Sequence, residues 1–372
     1  VEGHMEGSST VDSILEYVLG KSGIVEKPTL HIGRLPELFE KERAKLLQEF
    51  KIEGALADQE KISVLPPLPK SFLKLPRTGE ESPFGFKIAP EYEAAFQAYL
   101  KGDGEQALSL LDQAASGETE PATAWSFSYL RAQVLIMMGR AADAEIEVEK
   151  TAELEYRAFG TNLNARSLRG DVRVGLGDYD NATVDFFQVI DALGGWKLPT
   201  SYAFALADAS QLALRSRAQL RAHVGLAAAF IYKGDYGHAW QWSRAAEDLF
   251  EDLFRIIQHP LYHNYVALDP DMVYGRGLNL GILAAARLAL TKDSRGSAPI
   301  SDAAKNYFAA LDYTLGQLTV DTFRVRALFD IGDMDAAEPL ADEVVRLAAE
   351  KGFADLIWQL EAFRGEILLI FD

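Results

Sequence analysis

Two histidines four apart, His259 and His263, and three glycines, Gly275, Gly277 and Gly281, have the spacing that first suggests chemistry in this chain. A histidine pair at i and i+4 falls on one face of a helix and could present two nitrogens to a metal ion. No glutamate-flanked metalloprotease pattern surrounds the pair and no third ligand is evident, so two ordinary histidines are expected. The glycines stand in YGRGLNLG, inside a helical pattern, where they suit close helix packing better than a phosphate cradle. There is no P-loop, no Gly-x-Ser-x-Gly elbow and no kinase signature. The abundant carboxylates do not stand apart from solvated helix faces. The expectation is a protein that is not an enzyme, with no catalytic, cofactor-binding or metal-binding residues and no cofactor.

The stretch ARSLRGDVRVGLGDYDNATVDFF, residues 165–187, carries four further motifs. Arg169-Gly170-Asp171 spells an adhesion tripeptide, and Gly175-Leu176-Gly177 looks like half of a nucleotide loop. Asp178 and Asp180 resemble a metal-ligand pair, and Asn181-Ala182-Thr183 is a glycosylation acceptor. One larger pattern absorbs them. The pair Gly177/Ala182 recurs as Gly102/Ala107, Gly139/Ala144, Gly234/Ala239 and Gly332/Ala337. Seven residues before each glycine stands Ala95, Ala132, Gly170, Ala227 or Val325. Such a unit is a pair of antiparallel helices. Its glycine takes the left-handed conformation that ends the first helix. The following Asp103, Asp178, Asp235 or Asp333 caps the second, and Asp103-Gly104-Glu105-Gln106 fits a reciprocal capping box. Gly170 facing Ala182 would let the backbones approach closely.

These units resemble the tetratricopeptide repeat family, best in residues 163–192, where Gly170, Gly177, Asp178, Tyr179, Ala182 and Phe186 occupy its small, turn and aromatic positions. The turn glycines lie 37, 38, 57 and 98 residues apart, longer than the period of that family, so extra turns and insertions are expected. The resemblance implies an all-α right-handed superhelical solenoid over roughly residues 88–372, with first helices lining a concave groove that holds a peptide or protein partner. Carried over by register, the groove positions are Tyr92, Phe96, Tyr99, Ser126, Tyr129, Gln133, Ile136, Asn164, Ser167, Asp171, Arg221, Thr322 and Arg326. The Lys/Asn set that grips a terminal carboxylate in some members is missing. The Tyr92/Phe96/Tyr99 stripe suits a core as well as a groove.

Other readings stay open. Bacterial proteins with a caspase-like domain after such repeats share the architecture, which would make the chain the sensory arm of a larger signalling or peptidase protein. A small-molecule-binding solenoid would need a closed pocket, best sought beside the aromatic loop 259–271.

The elements that must hold these positions follow from composition and punctuation. Apolar residues make up 48% of the 372 and charged residues 25%, ordinary for a globular chain. A net charge of −18 repels nucleic acid and anionic lipid, and it favours a protein or peptide partner with basic segments. Cysteine is absent, which removes disulfides and thiolate metal sites. No apolar run approaches a bilayer span, so no membrane insertion is expected. Gly3-His4-Met5 resembles a cloning remnant, and residues 1–5 are set aside. A cytoplasmic location is expected, or a periplasmic one if a signal peptide once preceded this start.

Residues 6–90 read as an N-terminal extension, with helices over 9–19 and 36–57. Six of the fourteen prolines then fall between Pro66 and Pro90. Proline at that density favours extended chain, here a strap pinned by Phe72, Leu75, Phe84 and Phe86. Residues 91–372 read as the repeat domain. One or two helices fill 200–233, and helices over 271–291 and 302–315 pair across a Gly/Ser/Pro loop at 293–300. Gly365 takes the small position of another first helix whose turn glycine would fall at 372, so further repeats or another domain are expected beyond it.

Overall fold

The computed structural model describes residues 75–82, 84–114, 120–194, 209–257 and 270–371. The helices expected at 9–19 and 36–57, Phe72, His259 and His263 lie outside them. Thirteen α-helices follow one another among the described residues. They are α1 Pro90–Lys101, α2 Gly104–Ala114, α3 Pro121–Met137, α4 Ala141–Phe159, α5 Leu163–Gly175, α6 Tyr179–Leu193 and α7 Ala209–Tyr232. The rest are α8 Tyr236–Ile257, α9 Pro270–Thr291, α10 Ser294–Ala310, α11 Thr314–Asp330, α12 Met334–Lys351 and α13 Ala354–Phe371. Consecutive helices pair as antiparallel hairpins, each stacked on the next, giving the all-α solenoid that the repeat pattern implies. No helix among the described residues is long and apolar enough to cross a membrane.

The turns repeat one piece of local chemistry. At the first, the Gly102 backbone is left-handed, Asp103 N–H donates back to Ala98 O, and the Asp103 carboxylate accepts from Gln106 N–H at 3.1 Å. The forward half of the expected capping box forms. Its reverse half is replaced by the backbone bond to Ala98. Asp178, Asp235 and Asp333 accept in the same way from Asn181, His238 and Ala336 N–H.

A sixth hairpin, α9–α10, lacks the glycine/alanine signature yet keeps the register. Lys292 takes the left-handed conformation with φ 55°, Ala285 stands seven residues before it, and buried Ser297 five after. Asp293 caps α10 by accepting from Gly296 N–H at 2.9 Å. Residues 294–300, expected as loop, are therefore the opening turns of α10, and Pro299 lies inside the helix. That helix ends at Ala310 rather than near 315. The gap of 98 resolves into gaps of 58 and 40.

Packing follows from bare backbone set against large rings. Phe186 of α6 is fully buried between Gly170 of α5 and Gly225 of α7. A Cβ on either glycine would stand 2.5 or 2.3 Å from the ring, so the closest neighbour of Gly170 is Phe186 rather than Ala182. Phe308 of α10 repeats the arrangement between Gly277 and Gly316. Gly277 and Gly281 thus serve close packing, as their helical setting suggested. A buried phenylalanine contributes about 2–3 kcal/mol.

The described part of the N-terminal extension packs against α1 and α3. Ser82 Oγ accepts from Phe84 and Phe86 N–H, and Ser82 N–H donates to Phe86 O. Phe84 meets Trp125 edge-on at 5.3 Å, and Phe86 meets Tyr92 at 5.7 Å.

The solenoid curls until its last units touch its first. Tyr313, at the start of α11, donates its hydroxyl to Tyr99 of α1 at 2.8 Å. The Phe353 ring covers Gly102, and Tyr232 of α7 donates to Gln359 of α13 at 2.8 Å. The concave groove is thereby closed over into a lumen.

Candidate functional site

The first helix of every pair, together with α13, turns one face to this lumen, which holds a partly open cavity of about 150 Å³. That volume is about that of a benzene-sized molecule. Helix α7 supplies its longest wall, through Arg217, Leu220, Arg221, Val224, Ala228 and Tyr232 at three-to-four spacing. Val174, Leu278, Leu315 and Phe323 complete an apolar waist between two polar ends.

One end is a charge network that balances itself. Asp271 accepts from Arg217 Nη2 at 2.5 Å, from Gln133 Nε2 at 3.2 Å and from Arg221 Nη1 at 3.5 Å. Asp171 accepts from Arg221 Nε at 2.5 Å, and Tyr129 accepts at its hydroxyl from Arg221 Nη1 at 2.6 Å. Arg217 also lies over the Tyr129 ring at 4.0 Å and the Phe84 ring at 5.0 Å. Burial would push Asp271 up, but Arg217 and Arg221 hold its carboxyl below the usual range. Burial pushes Asp171 up, with Arg221 opposing. Two arginines face two aspartates, so this end carries no net charge. A wall of tyrosines adjoins it. Tyr99, Tyr274 and Tyr313 are all shifted upward by burial, so they remain neutral donors at ordinary pH.

At the other end stands Asp355, in the first turn of α13. Gln359 Nε2 donates to its Oδ2 at 2.8 Å, while Gln359 Oε1 is held by Tyr232. No Lys, Arg or His among the described residues pairs with it. Burial pushes its carboxyl up to about 7. Its Oδ1 lies beside Gly175, at van der Waals distance, 3.6 Å, from where a Cβ there would stand.

The residues carried over by register fall into two groups. Tyr99, Gln133, Ile136, Asp171 and Arg221 line the lumen, and Tyr129 joins its charge network. The others are held in the framework. Phe96 is buried between Tyr92 and Tyr99, while Tyr92 is half-buried against Phe86 and Phe127. Ser126 donates to Thr123 O, Thr322 to Leu318 O, and Ser167 to Ala218 O. Asn164 donates its side-chain amide to Glu155 and to Leu214 O, tying α4, α5 and α7 together. Arg326 pairs with Asp330 at 3.0 Å and lies over the Phe363 ring, bracing α11 against α13.

The motifs of residues 165–187 are spent structurally. Arg169 and Arg173 both pair with buried Asp185, Asp180 pairs with Lys233, and the Asn181 amide is held by Asp178. No group of three or more His, Asp or Glu among the described residues is placed to hold a metal.

Sequence reasoning missed Arg217, Asp271, Tyr232, Tyr274, Tyr313, Asp355 and Gln359. Arg217 had a signal, four residues before Arg221 on the same first helix. Asp355 had none, because an aspartate in a helix's first turn is an ordinary choice.

No family model matches the chain, and no curated protein matches it. Among solved structures the chain is similar to the crystal structure of Rap protein complexed with competence and sporulation factor. That likeness has 12% sequence identity and a TM-score of 0.44, over 96% of this chain and 88% of that one.

Proposed function

We propose that this chain is a binding protein that captures a peptide or protein partner by taking one of its long side chains into the lumen. The observation that carries this is the shape and polarity of the cavity. It is a cavity of about 150 Å³ whose apolar waist runs between a self-neutralised network at one end and an uncompensated carboxylate at the other. That volume suits one long side chain better than an extended segment, so a peptide would enter by an anchor residue while the rest stays at the mouth. Deep apolar pockets with few convergent polar groups are the usual setting for such anchors. A small molecule of similar size would satisfy the same walls.

Panning a random peptide library against the protein and against Ala228→Phe tests this, since Ala228 lines the waist. Peptides sharing one long side chain should be enriched on the natural sequence and lose at least tenfold in affinity on the filled variant, with the helical circular dichroism spectrum unchanged. Equal affinity for both proteins, or no enrichment at all, overturns the reading.

A further inference from the structure

We propose that the lumen selects a cation: the ligand's anchor is an ammonium or guanidinium group on an aliphatic stem, such as a lysine or arginine side chain, and Asp355 is its counter-ion. This rests on the lumenal binding reading above and names the chemical class that it takes.

Four observations carry it. First, the charges of the cavity do not cancel. Arg217, Arg221, Asp171 and Asp271 neutralise one another, which leaves Asp355 as the uncompensated charge of the lining when it is ionised. Second, Asp355 is half-used. Gln359 satisfies Oδ2 at 2.8 Å, while Oδ1, which lies beside Gly175 on the cavity lining, accepts from no protein donor among the described residues. A carboxylate accepting a single neutral hydrogen bond has room for a charge-assisted donor, and such a bond is about twice as strong as a neutral one. Third, the orientation of Asp355 is fixed beforehand. Tyr232 holds Gln359 Oε1, so the amide must present its NH₂ to Asp355, and the acceptor is set without the ligand. Fourth, the approach is built for an aliphatic stem. Val174, Val224, Ala228 and Leu278 line the waist, and the edge-to-face pair Tyr232 and Phe323, 5.6 Å apart, flanks it with aromatic surface. Aromatic faces attract cations and do nothing for an anion.

The competing assignment makes Asp355 a helix-start residue serving only the α13 dipole. That role would be met by a side chain turned to solvent, as Asp335 and Asp180 are on α12 and α6. Asp355 instead lines the cavity. An anionic anchor fits poorly, because both lumenal arginines are already engaged by carboxylates and Asp355 would repel it.

The probes are n-pentylamine and 1-pentanol, which share a chain and differ in charge. Binding is followed by fluorine NMR on protein labelled with 3-fluorotyrosine, the Tyr232 signal being assigned through Tyr232→Phe. In the natural sequence near neutral pH, pentylamine should shift the Tyr232 signal with a Kd at least tenfold below that of pentanol. In Asp355→Asn the two should differ by less than threefold, with pentanol binding unchanged. Asp355→Glu should restore most of the preference. Unchanged pentanol binding shows that the Asn variant is folded and its lumen open. A preference for amine that survives in Asp355→Asn places the cation elsewhere and overturns the proposal. Equal binding of both probes to the natural sequence also overturns it, while the lumen remains a binding site. If neither probe moves the Tyr232 signal, the lumenal reading itself falls, and this proposal with it.

Discussion

Replacing Asp355 by asparagine should stabilise this protein above neutral pH and leave it nearly unchanged at pH ~4, close to the carboxyl's ordinary value of 3.8. The carboxyl is raised from 3.8 to about 7 by burial. Between those values the folded chain holds a proton that the unfolded chain has released, so stability falls as pH rises through the window. The full penalty is present above about pH 7. Three pH units correspond to roughly 4 kcal/mol as an upper bound. The side chain keeps partial contact with solvent and a hydrogen bond from Gln359, which reduces the effect to about 1–2 kcal/mol. Asparagine is neutral throughout and removes the penalty. Unfolding entropy near 2.1 cal/mol/K per residue then gives a rise of about 1–3 °C in Tm at pH ~8, and under ~1 °C at pH ~4. Scanning calorimetry of both proteins at the two pH values reads this directly. A variant that melts lower than the natural sequence at the higher pH would refute the reasoning, since Asp355 would then be a net stabilising charge with a partner of its own. A partly buried carboxylate that lowers stability while the cavity is empty fits a residue retained for binding rather than for folding.

Two further outcomes test the framework. Gly225→Ala would set a methyl 2.3 Å from the Phe186 ring and should destabilise by about 1–3 kcal/mol in urea unfolding, with Phe186→Leu recovering part of the loss; equal costs in both backgrounds would mean that the ring is not the obstacle. Lys292→Gly removes a side chain from a left-handed turn, φ 55°, and should stabilise by about 1 kcal/mol; a loss of stability would show that the Lys292 side chain contributes more than its backbone strain costs.

The repeats were legible because turn and close-approach positions constrain residue type. Gly177, Asp178 and Ala182 are each required by backbone geometry, and geometry recurs every hairpin. The sixth hairpin escaped for the same reason in reverse. A left-handed turn tolerates lysine at modest cost and a buried small site tolerates serine, so Lys292 and Ser297 erase the pattern without altering the fold. Pro299 and the Gly/Ser-rich opening of α10 compounded this. They suit the first turns of a capped helix as well as they suit a loop, and only the Asp293 cap separates the two.

The lumen was half legible, and the missing half is the informative one. Register along a first helix finds a concave position, and so it found Tyr99, Gln133, Ile136, Asp171 and Arg221. Register cannot find which first helices meet across the axis, because that depends on the small rotation per hairpin accumulated around the whole curl. Tyr99 and Tyr313 are 214 residues apart and share a hydrogen bond only because the curl closes. Closure also decides which charges matter. Most acidic side chains among the described residues are exposed, where solvent and salt screen them. Asp271 belongs to the sequence total of −18 but is cancelled inside by Arg217 and Arg221. Asp355 contributes the same formal charge as any surface aspartate, yet it stands partly buried on the cavity lining where no protein cation among the described residues reaches it. The net charge thus pointed toward basic partners through long-range attraction, while selection for a cation rests on a single carboxylate whose environment exists only once the ring is closed.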